Sequence, residues 1–172
     1  MTQGLKNVMV ASDRHDWKTP RKFFNHLNGI YRFTIDLFAD SSNALLPRYY
    51  SKDRDALTQT WQGERAFGNP EYGPFIRRTL RKASEREASV SAILCPARVC
   101  TNYWYKYVWP KAHMVHLLKG RLTFEGANDP APFESALVVY LGKEHPRDFG
   151  NARVVTGPLS NHPRSIKEIH AL

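Results

Sequence analysis

The sequence predicts an α/β protein built on a mostly parallel sheet that is flanked by helices. The prediction rests on short apolar runs that alternate with amphipathic segments along the 172 residues, because strands that alternate with helices form parallel sheets. The longest apolar run, around Ala136 to Leu141, has the length of a strand and is far short of the roughly 18 residues of a membrane span. We therefore expect a single domain over residues 1–172, with a core at about 16–141 and a loop or tail of uncertain order at 142–172.

Capping signals and apolar spacing predict the elements of the first half. Thr19 and Pro20 indicate a helix start, with Thr19 as the N-cap and Pro20 at the first helical position. Apolar residues then recur at helical spacing up to Asn28-Gly29, where we expect the helix to end. Three segments then have the length and character of strands: 33–38, 48–51 and 65–68.

The second half continues the alternation of helices and strands. A basic amphipathic helix is predicted at about 75–88 and a shorter helix at 102–108. From Gly142 onward the chain is rich in Pro, Gly, Asn and charged residues, which is typical of loops. The strands predicted in this half are 90–96, 114–118, 121–124 and 136–141.

The charge of the chain indicates the class of its partner, and the cysteine content indicates its cellular compartment. Lys and Arg number 25 against 16 Asp and Glu, a net charge of +9, which favours a polyanionic partner such as nucleic acid; a basic surface that serves only solubility is the alternative. Cys95 and Cys100 are too close in sequence to staple a secreted framework, and residues 1–14 contain no apolar signal region. We therefore expect a protein of the reducing cytoplasm.

The strongest chemical signal is Asn69-Pro70-Glu71-Tyr72, directly after an apolar strand. The amino group of adenine is a poor nucleophile because its lone pair is delocalised into the ring. Acceptance of its two N–H groups by the Asn69 side chain and the Pro70 carbonyl would free that lone pair, and Tyr72 could stack on a base removed from the duplex. An ordinary turn after a strand is the alternative for an isolated Asn-Pro segment.

Further segments around this motif share a known pattern. The sequence resembles the small DNA adenine-N6 methyltransferases of phages and prophages, the Dam-like family. The similar segments run in order over about residues 16–141: Asp16 to Pro20 with Phe23-Phe24, Thr34 to Ala39 with Asn43, Arg48 to Tyr50, Asp55 to Leu57 with Trp61, 69–72, Leu94 to Arg98, Lys119 to Phe124 and Pro132 to Val139.

The resemblance implies a compact Rossmann-like methyltransferase fold and a reaction. The chain would methylate the N6 amine of adenine in double-stranded DNA, with S-adenosyl-L-methionine (AdoMet) as the methyl donor and base flipping into the 69–72 loop. A role in protection from restriction, in the cytoplasm of a bacterial host, would follow for a phage-encoded member. An RNA adenine methyltransferase is a further alternative.

The family pattern also implies roles for single residues. Asn69, Pro70 and Tyr72 would be catalytic. Asp36 would lie near the AdoMet ammonium, which gives a buried carboxylate a partner, and Asp55 would bind the adenine amine of the cofactor, although it could instead cap a helix. The residues implied in cofactor binding are Trp17, Thr19, Pro20, Asp36, Ala39 and Asp55; Trp17 could equally be a core or lid aromatic.

Basic residues after the motif are the candidates for DNA contact. Arg77, Arg78 and Arg81 lie on the predicted helix at 75–88, where they would either bind phosphate or form a solvated face. Arg121 follows a glycine next to a predicted strand and is the better candidate for DNA or active-site contact. His113 and His116 are three residues apart without acidic or cysteine neighbours, so we expect no metal site.

One residue departs from the family pattern. Glu71 stands where the family usually has a second proline, which would stiffen the turn that aims the two carbonyl groups. A carboxylate there also brings negative charge close to DNA. A catalytically weakened protein that only binds DNA or AdoMet is therefore the alternative to an active enzyme.

Overall fold

A computed structural model describes residues 17–145 and 152–159 of the chain. Asp16, which begins the first family-like segment, and most of the tail predicted at 142–172 lie outside these ranges. None of the helices in the described ranges is both long enough and apolar enough to cross a membrane.

The centre of the structure is a six-stranded sheet in the order β1-β2-β3-β5-β4-β6. Every strand runs in the same direction except β5, which is antiparallel to both of its neighbours, β3 and β4. The predicted mostly parallel sheet is therefore confirmed. The strands are β1 Ile35–Asp36, β2 Arg65–Gly68, β3 Val90–Pro96, β4 Met114–Leu118, β5 Ser135–Leu141 and β6 Arg153–Gly157.

Four of these strands follow the predicted segments closely, and the differences have local causes. The first strand is regular only at Ile35–Asp36, because the chain turns as Phe38 N donates to the Asp36 carboxylate. The segment predicted at 48–51 makes a single bridge, between Tyr49 and Asp36. Residues 121–124 form no strand; Glu125 instead bridges to Lys18. β6 was not expected in the predicted tail.

The helices also depart from their predicted ends. Helix α1, Arg21–Tyr31, has Pro20 at its N-cap position, so the prediction of Thr19 as the N-cap is wrong. It continues past Asn28-Gly29 to Arg32, which has a left-handed φ of 50°, and the Asn28 side chain accepts from Phe33 N. Helix α2 spans Pro74–Ala83, so it ends five residues before the predicted end at about residue 88. The segment predicted as a helix at 102–108 contains the π-helical turn Trp104–Val108.

The two faces of the sheet are covered by different elements. Helix α1 packs the buried side chains Phe23, Phe24, Leu27 and Tyr31 on one face. Helix α2 and the π-helical turn cover the other face, together with Trp61. Burial of each large apolar side chain stabilises the folded state by roughly 1.5–3 kcal/mol relative to an exposed side chain. The sheet therefore lies between two helical layers, and the layers leave the ends of its strands uncovered as a candidate site.

The carboxyl ends of β1, β2 and β3 meet at one edge of the sheet, because these strands are parallel neighbours. In register, Asp36 is opposite Phe67, so their side chains project to the same face, which is the face that α1 covers. Asn69 lies two residues beyond Phe67, directly after β2. The fold therefore brings Asp36 and Asn69 to the same edge, where ligands of open α/β sheets bind.

Candidate active site

The segment that carries Asn69 leaves the sheet at a closely packed glycine. A Cβ at Gly68 would lie 3.1 Å from both Ile93 Cδ1 and Phe38 Cε2, which is tighter than ordinary van der Waals contact. Only glycine fits at this position without displacement of its neighbours. The end of β2 is therefore fixed closely against β3, and Asn69 follows from a defined point.

The side-chain amide of Asn69 is held in one orientation. Its Nδ2 donates to the main-chain carbonyl of Trp17, at 2.5 Å, and to Thr19 Oγ1, at 3.0 Å. A carbonyl oxygen only accepts hydrogen bonds, so the NH₂ end must face Trp17. Asn69 Oδ1 is buried and has no hydrogen-bond partner among the described residues. The amide therefore presents a buried acceptor on the side away from Trp17.

Four aromatic rings surround this loop. Trp17 packs against Phe124, with ring centroids 5.1 Å apart, and edge-on against Phe133 at 5.5 Å. Tyr72 makes edge-type contacts with Phe133 at 5.2 Å and with Phe124 at 6.2 Å. Phe124 and Phe133 belong to the loop between β4 and β5, residues 119–134. The arrangement forms an apolar, aromatic wall beside the Asn69 amide.

The hydroxyl of Tyr72 is the second buried polar group at this site without a hydrogen-bond partner in the described part of the chain. Burial raises the pKa of its phenol well above the ordinary value, and the proximity of Cys95 adds to the effect. Tyr72 therefore stays neutral throughout the physiological pH range.

Asp36 is a buried carboxylate, with 3% of its surface exposed. It accepts hydrogen bonds from Leu45 N at 3.2 Å and from Phe38 N at 3.3 Å. Burial raises its pKa to about 6, against the lowering effect of those two main-chain N–H groups. A carboxylate has about four lone-pair positions, so Asp36 can accept further bonds from a cationic ligand, which would stabilise its charge.

The other residues implied in cofactor binding are divided between this edge and a neighbouring turn. Thr19 is buried and Pro20 directly precedes α1. Ala39 lies in the loop after β1, where its N–H donates to Tyr50 O. Asp55 instead accepts from Leu57 N, at 2.9 Å, and so caps the short turn Ala56–Thr58. The capping alternative for Asp55 is thus the contact that is present.

The basic residues predicted to contact DNA are exposed. Arg77 and Arg81 project from α2 with no acidic residue in the first turn of that helix. Arg78 lies beside them, with its guanidinium 4.0 Å from the Asp55 carboxylate and over the Phe75 ring. Arg121 is exposed in the loop 119–134, which also contributes Phe124 and Phe133 to the aromatic wall. Two separate elements next to the strand ends therefore present positive charge.

Glu71, the departure from the family pattern, points to Lys52. Its Oε1 lies 2.6 Å from Lys52 Nζ, and both side chains are largely exposed. Lys52 begins the turn Lys52–Arg54, which precedes the Asp55 cap. The negative charge in the candidate catalytic loop 69–72 is therefore offset by the neighbouring positive charge of Lys52.

Two features of the site were not predicted. Phe124 and Phe133 lay in family-like segments without an assigned role, and their shared wall with Trp17 joins residues more than 100 positions apart in the sequence. Lys18 and Glu125 form a bridge in which Glu125 N donates to Lys18 O, at 2.9 Å. Only the spacing of aromatic residues in a polar loop could have pointed to this wall.

The described residues include no group of three or more His, Cys, Asp or Glu side chains that could hold a metal ion. His113 Nδ1 accepts from Leu141 N, and His116 is fully buried on β4. Cys95 and Cys100 are both free. The chemistry that this edge offers consists of hydrogen-bond acceptors, a buried carboxylate and aromatic rings.

Comparisons with known proteins identify a family and two relatives of this chain. The sequence profile of the family described as "DNA N-6-adenine-methyltransferase (Dam)" matches residues 6–147. A "DNA N-6-adenine-methyltransferase" of Haemophilus phage HP1 (strain HP1c1) is 23% identical over 124 residues, which cover 69% of this chain and 71% of the relative. The candidate methyltransferase YfdM of Escherichia coli (strain K12) is 39% identical over 64 residues, 33% of this chain and 69% of that protein.

Proposed function

The chain belongs to the DNA N-6-adenine-methyltransferase (Dam) family, and from this premise we propose that it transfers a methyl group from AdoMet to the N6 amine of adenine in double-stranded DNA. The target base would leave the duplex and enter the site formed by Asn69, Pro70 and Tyr72, because an amine inside a base pair cannot be reached by an enzyme. The physiological role would be modification of DNA, including protection from restriction.

The observation that carries the proposal is the state of the Asn69 amide. Both of its N–H groups are engaged by Trp17 O and Thr19 Oγ1, whereas Oδ1 is buried without a partner among the described residues. A buried polar atom without a partner costs roughly 1–3 kcal/mol. A substrate amine that donates to Oδ1 would remove that cost, which supports the proposal that this amide accepts an N–H of the substrate.

The chemistry follows from these acceptors. An N–H of the adenine amine donates to Asn69 Oδ1, and the second N–H donates to the main-chain carbonyl of Pro70. These two bonds draw the nitrogen toward a tetrahedral geometry and stabilise the positive charge that develops as it attacks a methyl group. The aromatic wall of Trp17, Phe124 and Phe133 with Tyr72 excludes water and holds the planar base. No general base is needed before the attack: the methyl–sulfur bond of the donor would break as the methyl–nitrogen bond forms, and the nitrogen would lose its extra proton after the transfer.

AdoMet fits the polar groups at the neighbouring strand end. When bound, it supplies a methyl group activated by a sulfonium. Asp36 would accept from its ammonium, which explains a buried carboxylate whose pKa is raised to about 6 by burial. Pro20 and Ala39 flank this position in the sequence segments that the family pattern assigns to the cofactor, while the contribution of Asp55 would require release from its cap on Leu57.

The exposed arginines give the duplex a surface to bind. Arg77, Arg78 and Arg81 on α2, together with Arg121, would contact phosphates, and such contacts position DNA without a direct reading of its sequence.

The experiment that tests the proposal is transfer of labelled methyl from AdoMet to adenine-containing DNA. Wild-type protein should produce N6-methyladenine, and Asn69→Ala should reduce the rate by about 100-fold or more. Asn25→Ala is the matched control, because Asn25 is exposed on the outer side of α1 and should leave the rate unchanged. Circular dichroism of both variants would check that each is folded.

Three other results would change the assignment. Wild-type protein that binds DNA or AdoMet and transfers nothing would establish the weakened binding protein, with Glu71 as the residue to test. Faster transfer to RNA than to DNA would identify an RNA adenine methyltransferase. Transfer that persists in Asn69→Ala would contradict the role of the 69–72 loop.

A further inference from the structure

The segment before α1 is fixed from two sides. On one side, the Pro20 carbonyl accepts from Phe24 N at 3.0 Å in the first turn of the helix. On the other, Lys18 O accepts from Glu125 N at 2.9 Å, in the loop 119–134. Thr19 lies between these anchors with 6% of its surface exposed. Its side chain is therefore held in a defined place, although it does not cap the helix that follows it.

The hydroxyl of Thr19 is directed to Asn69. Thr19 Oγ1 lies 3.0 Å from Asn69 Nδ2 and accepts one of its two N–H groups, while Trp17 O accepts the other. These two bonds decide which end of the amide faces the substrate. If the amide turned over, its NH₂ group would face the NH₂ group of adenine, and two donors cannot bond each other.

We propose that Thr19 is a positioning residue of the methyl transfer: its hydroxyl, together with the Trp17 carbonyl, holds the Asn69 amide with Oδ1 toward the target amine. The inference rests on the proposed function and assigns Thr19 a role different from the cofactor contact that the family pattern implies. Removal of the hydroxyl should lower the rate of the chemical step and leave the affinity for AdoMet unchanged.

The test compares two substitutions at this position in the full chain. Thr19→Val keeps the shape and removes the hydroxyl, and we expect a kcat about 10- to 100-fold lower, since a misdirected amide loses an interaction made in the transition state. Thr19→Ser restores the hydroxyl and should be within about threefold of wild type. The dissociation constant for AdoMet, measured by calorimetry, should stay within about twofold in both variants.

Thr79→Val is the matched control. Thr79 is also buried, and its hydroxyl donates to the Phe75 carbonyl within α2, on the opposite face of the sheet. The same chemical change there should leave kcat within about twofold of wild type. An unchanged kcat in Thr19→Val would overturn the proposal, as would a loss that appears only in the affinity for AdoMet.

A measurement that needs no activity separates this inference from the proposed function. In ¹⁵N NMR spectra, the side-chain NH₂ of Asn69 can be identified by its absence in Asn69→Asp. We expect its protons to exchange slowly with solvent in wild type and in Thr19→Ser, and faster in Thr19→Val. Rapid exchange of these protons in the wild type would refute the proposal that Thr19 and Trp17 fix the orientation of the Asn69 amide. Failure of the wild type to methylate DNA would instead refute the proposed function, and the NMR result would still decide whether Thr19 orients the amide.

Discussion

The Glu71 carboxylate, within the loop 69–72 that carries Asn69, is ion-paired with Lys52 at 2.6 Å. Both side chains are largely exposed, and exposed pairs of this kind contribute about 0–1 kcal/mol to stability. The pair therefore matters for the charge and stiffness of the loop more than for the fold.

Proline at position 71 should raise the rate of methyl transfer. Glu71→Pro fixes φ at this residue, stiffens the turn that aims the two acceptors, and removes a negative charge near DNA. Glu71→Gln removes the charge alone. We expect a higher kcat for Glu71→Pro than for Glu71→Gln, and a change in unfolding free energy of about 1 kcal/mol or less for the latter. A rate of methyl transfer for Glu71→Pro that is equal to or lower than that of wild type would show that Glu71 does not weaken the enzyme.

Binding of AdoMet should depend on the ionisation of Asp36. Burial raises the pKa of this carboxyl from 3.8 to about 6, so the folded protein binds this proton more tightly than the unfolded chain. Stability of the free protein therefore falls as the pH rises from about 4 to 6, and a bound ammonium would offset that loss. We expect AdoMet to bind about tenfold more weakly at pH 5 than at pH 7, by titration calorimetry.

Asp36→Asn is the control for this pH dependence. Asparagine has nearly the same shape but no charge, so AdoMet should bind it weakly and with an affinity that is flat between pH 5 and pH 7. AdoMet should also raise the melting temperature of the wild type more at pH 7 than at pH 5. A variant that keeps the pH dependence of the wild type would exclude Asp36 as its source.

The exposed arginines on α2 should make the affinity for DNA depend on the salt concentration. Arg77→Gln and Arg81→Gln each remove one exposed positive charge, so each should weaken DNA binding and lower the slope of log affinity against log salt by about 1. Arg153→Gln, at the exposed start of β6 on the far edge of the sheet, should leave the slope unchanged. Titrations at several salt concentrations give the slopes, and equal slopes for all four proteins would place the DNA elsewhere.

The ring of Tyr72, and not its hydroxyl, should carry function. The hydroxyl is buried without a partner among the described residues, so Tyr72→Phe removes an unsatisfied group and should leave the unfolding free energy unchanged or raise it by about 1 kcal/mol. Its kcat should stay close to that of wild type. Tyr72→Ala removes the stacking surface and should lower kcat strongly, at least about tenfold. A large loss of rate in Tyr72→Phe would instead assign a role to the hydroxyl.

The strands could be predicted from the sequence where burial is uniform. β3, β4 and β5 consist of apolar runs with little exposed surface, and the predicted segments agree with them to within one residue. β6 has an exposed, mixed pattern and gave no such signal. Residues 121–124 were predicted as a strand, but Phe124 is buried against other aromatic rings and not within the sheet.

The site was predictable where its residues are consecutive and unpredictable where they meet across the chain. The motif at 69–72 follows β2 and includes its own aromatic, so its position at a strand end could be read from the sequence. The contact of Thr19 with Asn69 joins residues 50 positions apart. The sequence pattern Thr-Pro fits an N-cap equally well, because a threonine hydroxyl can accept from helical N–H groups or from any other donor.

The bridge between Lys18 and Glu125 has a consequence for protein engineering. The loop 119–134 contains Arg121 and two of the aromatic rings, and it would be the natural segment to exchange between relatives in order to alter which DNA is modified. Because Glu125 N donates to Lys18 O, and the neighbouring residues Trp17 and Thr19 accept from Asn69, such an exchange would also disturb the Asn69 amide. A chimaera should therefore exchange residues 17–20 together with the loop 119–134. Glu125 and Lys18, the donor and the acceptor of the bridge, would then come from the same protein.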